Sequence, residues 1–109
     1  MNGDQLMAKL LKKEGTEWIS CFPAQTLIEA CSQEGIRPVL CRQERAGVNM
    51  ADAYSRIHNG NKIGVFTMQH GPGAENAFGG VAQAYADNVP MLLIPGGSTE
   101  RRVGVHPGF

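Results

Sequence analysis

Apolar residues along this chain alternate between helical spacing and short continuous runs. Leu6, Met7, Leu10 and Leu11 share a helical face, Gly15 follows as a stop, and Trp18-Ile19-Ser20-Cys21-Phe22 reads as a strand. Leu27, Ile28 and Cys31 mark a second helix, closed by Gly35 and followed by the short strand Pro38-Val39-Leu40-Cys41. In the third round Ala46, Met50, Ala53, Tyr54 and Ile57 recur at spacings of three and four, before Asn59-Gly60 and the strand Lys62 to Met68. The fourth has Ala77, Phe78, Val81, Ala82 and Tyr85, then Asp87-Asn88, then the run Val89 to Ile94, with Pro90 at its start, where a missing N–H is tolerable. Glycine after each of the first three helices supplies a residue that turns back at little steric cost. Strands apolar on both faces, alternating with helices, predict an α/β fold of three layers, α/β/α, around a parallel sheet. After Ile94 the segment PGGSTERRVGVHPGF has no periodicity and reads as a loop, so residues 1–109 are expected to be one domain whose sheet is cut after about four strands.

Charge and composition narrow the function. Ten basic and ten acidic residues cancel without a like-charged run, which disfavours a nucleic-acid or membrane-surface binder and favours a small-molecule or protein partner. No apolar run approaches the roughly 18 residues of a membrane span. The N-terminal lysines follow rather than precede a short apolar stretch, so a cytoplasmic, uncleaved chain is expected. Cys21, Cys31 and Cys41 lack a close pair and are expected to be buried free thiols; His58, His70 and His106 are dispersed, so no metal site is expected from this chain's residues alone.

In an open parallel sheet, ligands bind beyond the carboxyl ends of the strands. The loops there are Phe22-Pro23-Ala24-Gln25, Arg42-Gln43-Glu44-Arg45, Gln69-His70-Gly71-Pro72-Gly73 and Pro95-Gly96-Gly97-Ser98. Gly71 and Gly73 allow close backbone approach to a ligand, or simply form a βα turn. The chain has neither GxGxxG nor GxxxxGK[ST], so it carries no dinucleotide or P-loop fingerprint. Glu44 has two readings: a first-turn carboxylate stabilised by the helix dipole and by Arg42 or Arg45, or an acid–base group facing the ligand crevice.

The order of a strand ending in Phe22-Pro23, then RQERAGVNMADAYSR, then IGVFTMQHGPGAENAFGGVAQAYADNVPMLLIPGG, resembles the N-terminal pyrimidine-binding domain of thiamine-diphosphate enzymes. The acetohydroxyacid (acetolactate) synthase branch is the nearest in pattern, through Gly71-Pro72-Gly73-Ala74, Asn76 and AYADNVPMLLIPGG. The resemblance implies the flavodoxin-like thiamine-diphosphate-binding fold and the cofactor thiamine diphosphate, used on 2-keto acids in decarboxylation or carboligation. It implies that Glu44 hydrogen-bonds a ring nitrogen of the aminopyrimidine and favours its imino tautomer, which removes the thiazolium C2 proton. It places Phe22, Pro23, Pro72, Gly73 and Asn76 around that ring, and Gln69 and His70 toward the substrate. Two departures bear on the substrate: Gln43 stands where a histidine or asparagine often precedes the glutamate, and Gln69-His70 replaces a common Thr-Ser.

The resemblance further implies that Mg²⁺ and the diphosphate are held by a second domain with a GDG motif, which these residues lack, supplied by a partner subunit of a homodimer or homotetramer. FAD, the substrate and the acceptor are left open. On this reading the isolated chain is inactive and binds the cofactor weakly or not at all. A non-catalytic module of the same fold, serving dimer assembly or regulation, is the alternative; a generic flavodoxin-like nucleotide binder lacks support because no phosphate loop follows the first strand.

Overall fold

The computed structural model of the chain describes residues 1–23, 26–97, 101, 103 and 104. Ala24, Gln25, Ser98 and His106, all named above, lie outside the described residues, as does most of the segment after Gly97. The elements are α1 (Gly3–Lys13), β1 (Trp18–Cys21), α2 (Thr26–Gln33), β2 (Arg37–Leu40), α3 (Glu44–Ile57), β3 (Gly64–Met68), α4 (Pro72–Ala86) and β4 (Met91–Pro95). All eight fall where the apolar pattern places them, with β3 starting two residues later than expected and β4 starting after Pro90. Gly15, Gly35 and Gly60 take positive φ at the turns after the first three helices, and Asn88, at φ 53°, does the same after α4.

The four strands are parallel in the order β2-β1-β3-β4. One face packs Ile19 and Val65 against Ala8 and Leu11 of α1 and Leu27, Ala30 and Cys31 of α2. The other packs Phe66 and Met68 against Val48 and Ala51 of α3 and Ala77 of α4. Consecutive residues of β3 thus feed opposite cores, which explains why the whole strand is apolar or hydroxylic. The three-layer α/β/α expectation is met. The chain leaves β1 toward β2 and leaves β3 toward β4, so the connections diverge and open a crevice between the carboxyl ends of β1 and β3. Among the described residues no helix is long and apolar enough to cross a membrane.

The predicted helical faces need correction. Ala8 and Leu11 are the buried residues of α1, while Leu6, Met7 and Leu10 are exposed. In α3 the buried set is Glu44, Gly47, Val48, Ala51, Asp52 and Ser55, and Ala46, Ala53 and Ile57 face outward. In α4 it is Gly73, Ala77, Gly80 and Ala84, with Phe78 62% and Tyr85 86% exposed. The physical reason is close approach. A Cβ on Gly80 would lie 2.8 Å from Asn49 Oδ1 and nearer still to Val48 Cγ1, and one on Gly64 would lie 2.6 Å from Ala51 Cα. Small and polar residues therefore make up most of the inward faces of α3 and α4, and Ile57, Phe78 and Tyr85 are left outside.

Candidate active site at the carboxyl ends of the strands

Glu44 opens α3 directly after β2 and is only 7% exposed. Its turn is seated on the sheet from below. Ser20 Oγ, on β1, donates to Gly47 O at 2.7 Å, and a Cβ on Gly47 would come within 2.9 Å of Phe66 Cδ2. Glycine at 47 thus lets the first turn of α3 rest against the Phe66 ring at the β1/β3 crevice.

Helix α4 meets the carboxylate from the side. Asn76 Nδ2 donates to Glu44 Oε2 at 3.2 Å, and a Cβ on Gly73 would lie 3.3 Å from Glu44 Oε1 and 3.0 Å from Gln69 Cβ. Gly71, at φ 61°, turns the chain from β3 into α4, with Pro72 in the first turn, where its missing N–H costs nothing. The structure therefore brings Glu44, Gln69, Gly73 and Asn76 together. Phe22 is half-buried beside the Phe66 core and donates its N–H to Thr67 O at 3.1 Å. Pro23 and Pro72 are exposed at the same end, and Gln69 and His70 are half-buried.

The ion-pair reading of Glu44 is not what the structure shows. Among the described residues Glu44 has no salt-bridge partner. Arg45 instead lays its guanidinium against α4, where a Cβ on Gly79 would lie 3.2 Å from both Nε and Nη2. A buried carboxylate at a helix N-terminus, bonded by one neutral amide, retains the capacity to accept a hydrogen bond or share a proton with a ligand. The cleft outside it holds about 400 Å³ and is lined by Arg42, Gln43, Glu44, Arg45, Glu75 and Asn76. A larger groove of about 480 Å³ lies at the amino ends of the strands, past Glu17, Trp18, Lys62 and Pro90. That is the end of a parallel sheet from which ligand-binding loops do not project.

The thiols supply no nucleophile here. Burial pushes Cys21 and Cys31 up to about 11, and burial likewise raises Cys41, the half-exposed one of the three. Among the described residues no three His, Cys, Asp or Glu side chains converge as a metal site.

Two parts of this arrangement escape the apolar pattern. One is Ser20 with Gly47, for which a lone glycine inside a helical segment is the available signal. The other is a polar cluster at the far end of α3: Arg56 Nε donates to Asp52 Oδ1 at 3.0 Å and Oδ2 at 3.1 Å, Gln83 Nε2 to Asp52 Oδ2 at 3.2 Å, and Arg56 Nη2 to Asp87 Oδ2 at 2.7 Å. The i, i+4 spacing of Asp52 and Arg56 is its sequence trace.

Known proteins resemble this chain in sequence and in fold. Residues 1–108 match the family described as thiamine pyrophosphate enzyme, N-terminal TPP binding domain. The acetolactate synthase large subunit of Haemophilus influenzae is 33% identical over 108 residues, covering 95% of this chain and 18% of that protein. That of Lactococcus lactis is 35% identical over 99 residues, covering 87% and 17%. Among solved structures, a benzoylformate decarboxylase from Polynucleobacter necessarius superposes with a TM-score of 0.82 at 23% identity, over 99% of this chain and 20% of that one. A putative thiamin diphosphate-dependent enzyme from Mycobacterium smegmatis does so with 0.82 at 24%, over 98% and 21%. The chain spans about a fifth of the length of these relatives. With its parallel sheet and the matched residues, the chain belongs to the thiamine pyrophosphate enzymes, as an N-terminal TPP binding domain.

Proposed function

We propose that this chain is the pyrimidine-binding part of a thiamine-diphosphate enzyme acting on 2-keto acids, of the acetolactate synthase type, and that Glu44 is its catalytic residue. The observation that carries the reading is a buried carboxylate at the β1/β3 crevice with a neutral amide and, among the described residues, no cation bonded to it. The residues present fit the cofactor's ring: Gly73 places no side chain beside Glu44 Oε1, and the Glu44 carboxylate is a hydrogen-bond acceptor for a protonated ring nitrogen. Bound thiamine diphosphate would supply the electron sink for decarboxylation or carboligation. Glu44 holds or shares a proton at the ring nitrogen, Phe22, Pro23, Pro72 and Gly73 surround the ring, Asn76 stands among them with its amide on Glu44, and Gln69 and His70 face the substrate.

The diphosphate and Mg²⁺ would be held by a diphosphate-binding domain of a partner subunit, in a cytoplasmic homodimer or homotetramer. The outward face of α4, with Phe78 and Tyr85 exposed, supports a protein partner on that side. That same face is the observation favouring the second reading, a non-catalytic module used for assembly. One experiment separates them. Glu44→Gln in the assembled enzyme is expected to lower kcat by at least about 100-fold, the scale of a lost acid–base group. Full activity in Glu44→Gln would overturn the catalytic reading and leave the assembly module. For the isolated chain, calorimetric titration with thiamine diphosphate and Mg²⁺ is expected to show weak binding or none; micromolar binding would contradict a shared site.

A further inference from the structure

We propose that Asn76 is a positioning residue for Glu44, fixing Oε2 so that Oε1 is the oxygen presented to the ligand. The inference rests on the reading of Glu44 as the catalytic carboxylate, and gives Asn76 a task other than direct contact with the cofactor's ring.

Glu44 and Asn76 are 32 residues apart and sit near the amino ends of different helices, so their bond is tertiary rather than a local cap. A carboxylate only accepts hydrogen bonds, so the side-chain amide must turn its NH₂ end to Oε2. The other oxygen faces Gly73. Any side chain there would start 3.3 Å from Oε1 and 3.0 Å from Gln69 Cβ, so glycine is what keeps a side chain from crowding that oxygen. The backbone beneath Glu44 is fixed independently by the bond from Ser20 Oγ to Gly47 O and by the contact of Gly47 with Phe66. The sheet therefore sets where the α3 turn lies, and α4 sets how the carboxylate is rotated.

The choice of donor matters chemically. An amide orients the carboxylate without matching its charge, whereas a guanidinium would both orient and neutralise it. Arg45, the neighbouring candidate, is laid on Gly79 instead. Asn76 thus orients Glu44 while leaving its charge for a proton shared with the ligand.

The test compares Asn76→Leu, close in shape but without a donor, with Asn76→Gln, which keeps the amide, and with Glu44→Gln as control. In the assembled enzyme Asn76→Leu is expected to lower kcat about 10- to 100-fold, the scale of a misplaced catalytic group. The KM for thiamine diphosphate should stay within about 3-fold of wild type, the pH profile of kcat should shift, and Asn76→Gln should recover part of the loss. A second readout needs no cofactor. In the ¹⁵N-labelled 109-residue chain, the Asn76 side-chain amide signals should change position in Glu44→Ala, which removes the acceptor; unchanged signals would mean that the bond does not form and would overturn the positioning role. That measurement stands even if Asn76→Leu fails to fold. Wild-type kcat and pH profile in Asn76→Leu, with Glu44→Gln inactive, would overturn the positioning role alone. A raised cofactor KM with unchanged kcat would assign Asn76 to the ring and overturn it too. An active Glu44→Gln would instead overturn the underlying reading of Glu44.

Discussion

Helix α3 buries a carboxylate toward each end, and α4 meets both with a side-chain amide. At the far end Asp52 accepts from Gln83 and, through both oxygens, from the Arg56 guanidinium, which is bonded onward to Asp87. The carboxylates of Asp87 and Asp52 in turn hold Arg56 above its ordinary range. At the near end, among the described residues, the Glu44 carboxylate accepts from the Asn76 side chain alone. The charge of Asp52 is matched and its oxygens are occupied, so it acts as a strut between α3 and α4. Glu44 keeps an unmatched charge and one open oxygen, which is the condition for exchanging a proton with a ligand. Burial is common to both; the partner set distinguishes structure from chemistry.

The comparison breaks most severely where α3 lies on the sheet beside Asp52. Ser55 Oγ accepts from Gly64 N at 2.8 Å, and a Cβ on Gly64 would come 2.5 Å from Ala51 C, backbone that cannot rotate away. Gly64→Ala is expected to cost more than about 4 kcal/mol, the range reserved for forced backbone displacement or core disruption. Urea denaturation followed by circular dichroism measures it. A near-native midpoint would mean that the structural end of α3 is less fixed than this packing implies.

A paired substitution sharpens the same contrast. Asp52→Asn removes an acceptor oxygen and the charge facing Arg56, and should lower stability by about 2 kcal/mol, the scale of a hydrogen bond to a charged group. Glu44→Gln keeps a carbonyl oxygen for Asn76 Nδ2 and should change stability by less than about 0.5 kcal/mol while removing activity. Equal losses in the two variants would erase the distinction between strut and reagent.

Much of this was legible in the sequence, because period and glycine placement report on the backbone. The α/β alternation, the turns at Gly15, Gly35 and Gly60, and the position of Glu44 at a strand-to-helix junction all follow from residue order. The inward faces of α3 and α4 were not legible. Apolar residues at helical spacing select Ala46, Ile57, Phe78 and Tyr85, whereas the observed faces include Gly47, Gly73, Gly80 and the satisfied polar groups of Asp52 and Ser55. Such faces depend on how closely two backbones approach, which no spacing rule encodes. The bond between Asn76 and Glu44 is hidden for the same reason, since it joins two helices through tertiary placement.

Alkaline pH tests the core beneath these helices. Cys21 and Cys31 titrate at about 11 in the folded chain against an ordinary 9.0, because burial disfavours the thiolate. The folded state then holds protons that the unfolded state has released, so their contribution is complete below pH 9 and falls as pH rises toward 11. Stability measured by urea denaturation should decline across that window. In the native chain at pH 8, Cys41, being half-exposed, should react first with a thiol reagent, and Cys21 and Cys31 only on unfolding.

The smallest effect belongs to Glu17 and Lys62, the reverse of the Glu44 case: an exposed carboxylate with a cation at 2.6 Å. The hydrogen bond and charge of Lys62 lower the pKa of Glu17, and Glu17 raises that of Lys62. The Glu17 contribution is therefore present above its unfolded value of 4.5 and lost as pH falls through the lowered folded value; the Lys62 contribution is present below 10.5 and lost as pH rises through the raised one. Both side chains are half-exposed or more, so water and salt screen the attraction and little net stability remains. Glu17→Gln should lower Tm slightly at pH 7, and the gap from wild type should close at pH 3 or in about 1 M salt, where the Debye length is only about 3 Å. A gap that survives both conditions would mean that Glu17 acts through packing against the groove at the amino ends of the strands, and that charge matching decides the role of a carboxylate only where water is excluded, as at Asp52 and Glu44.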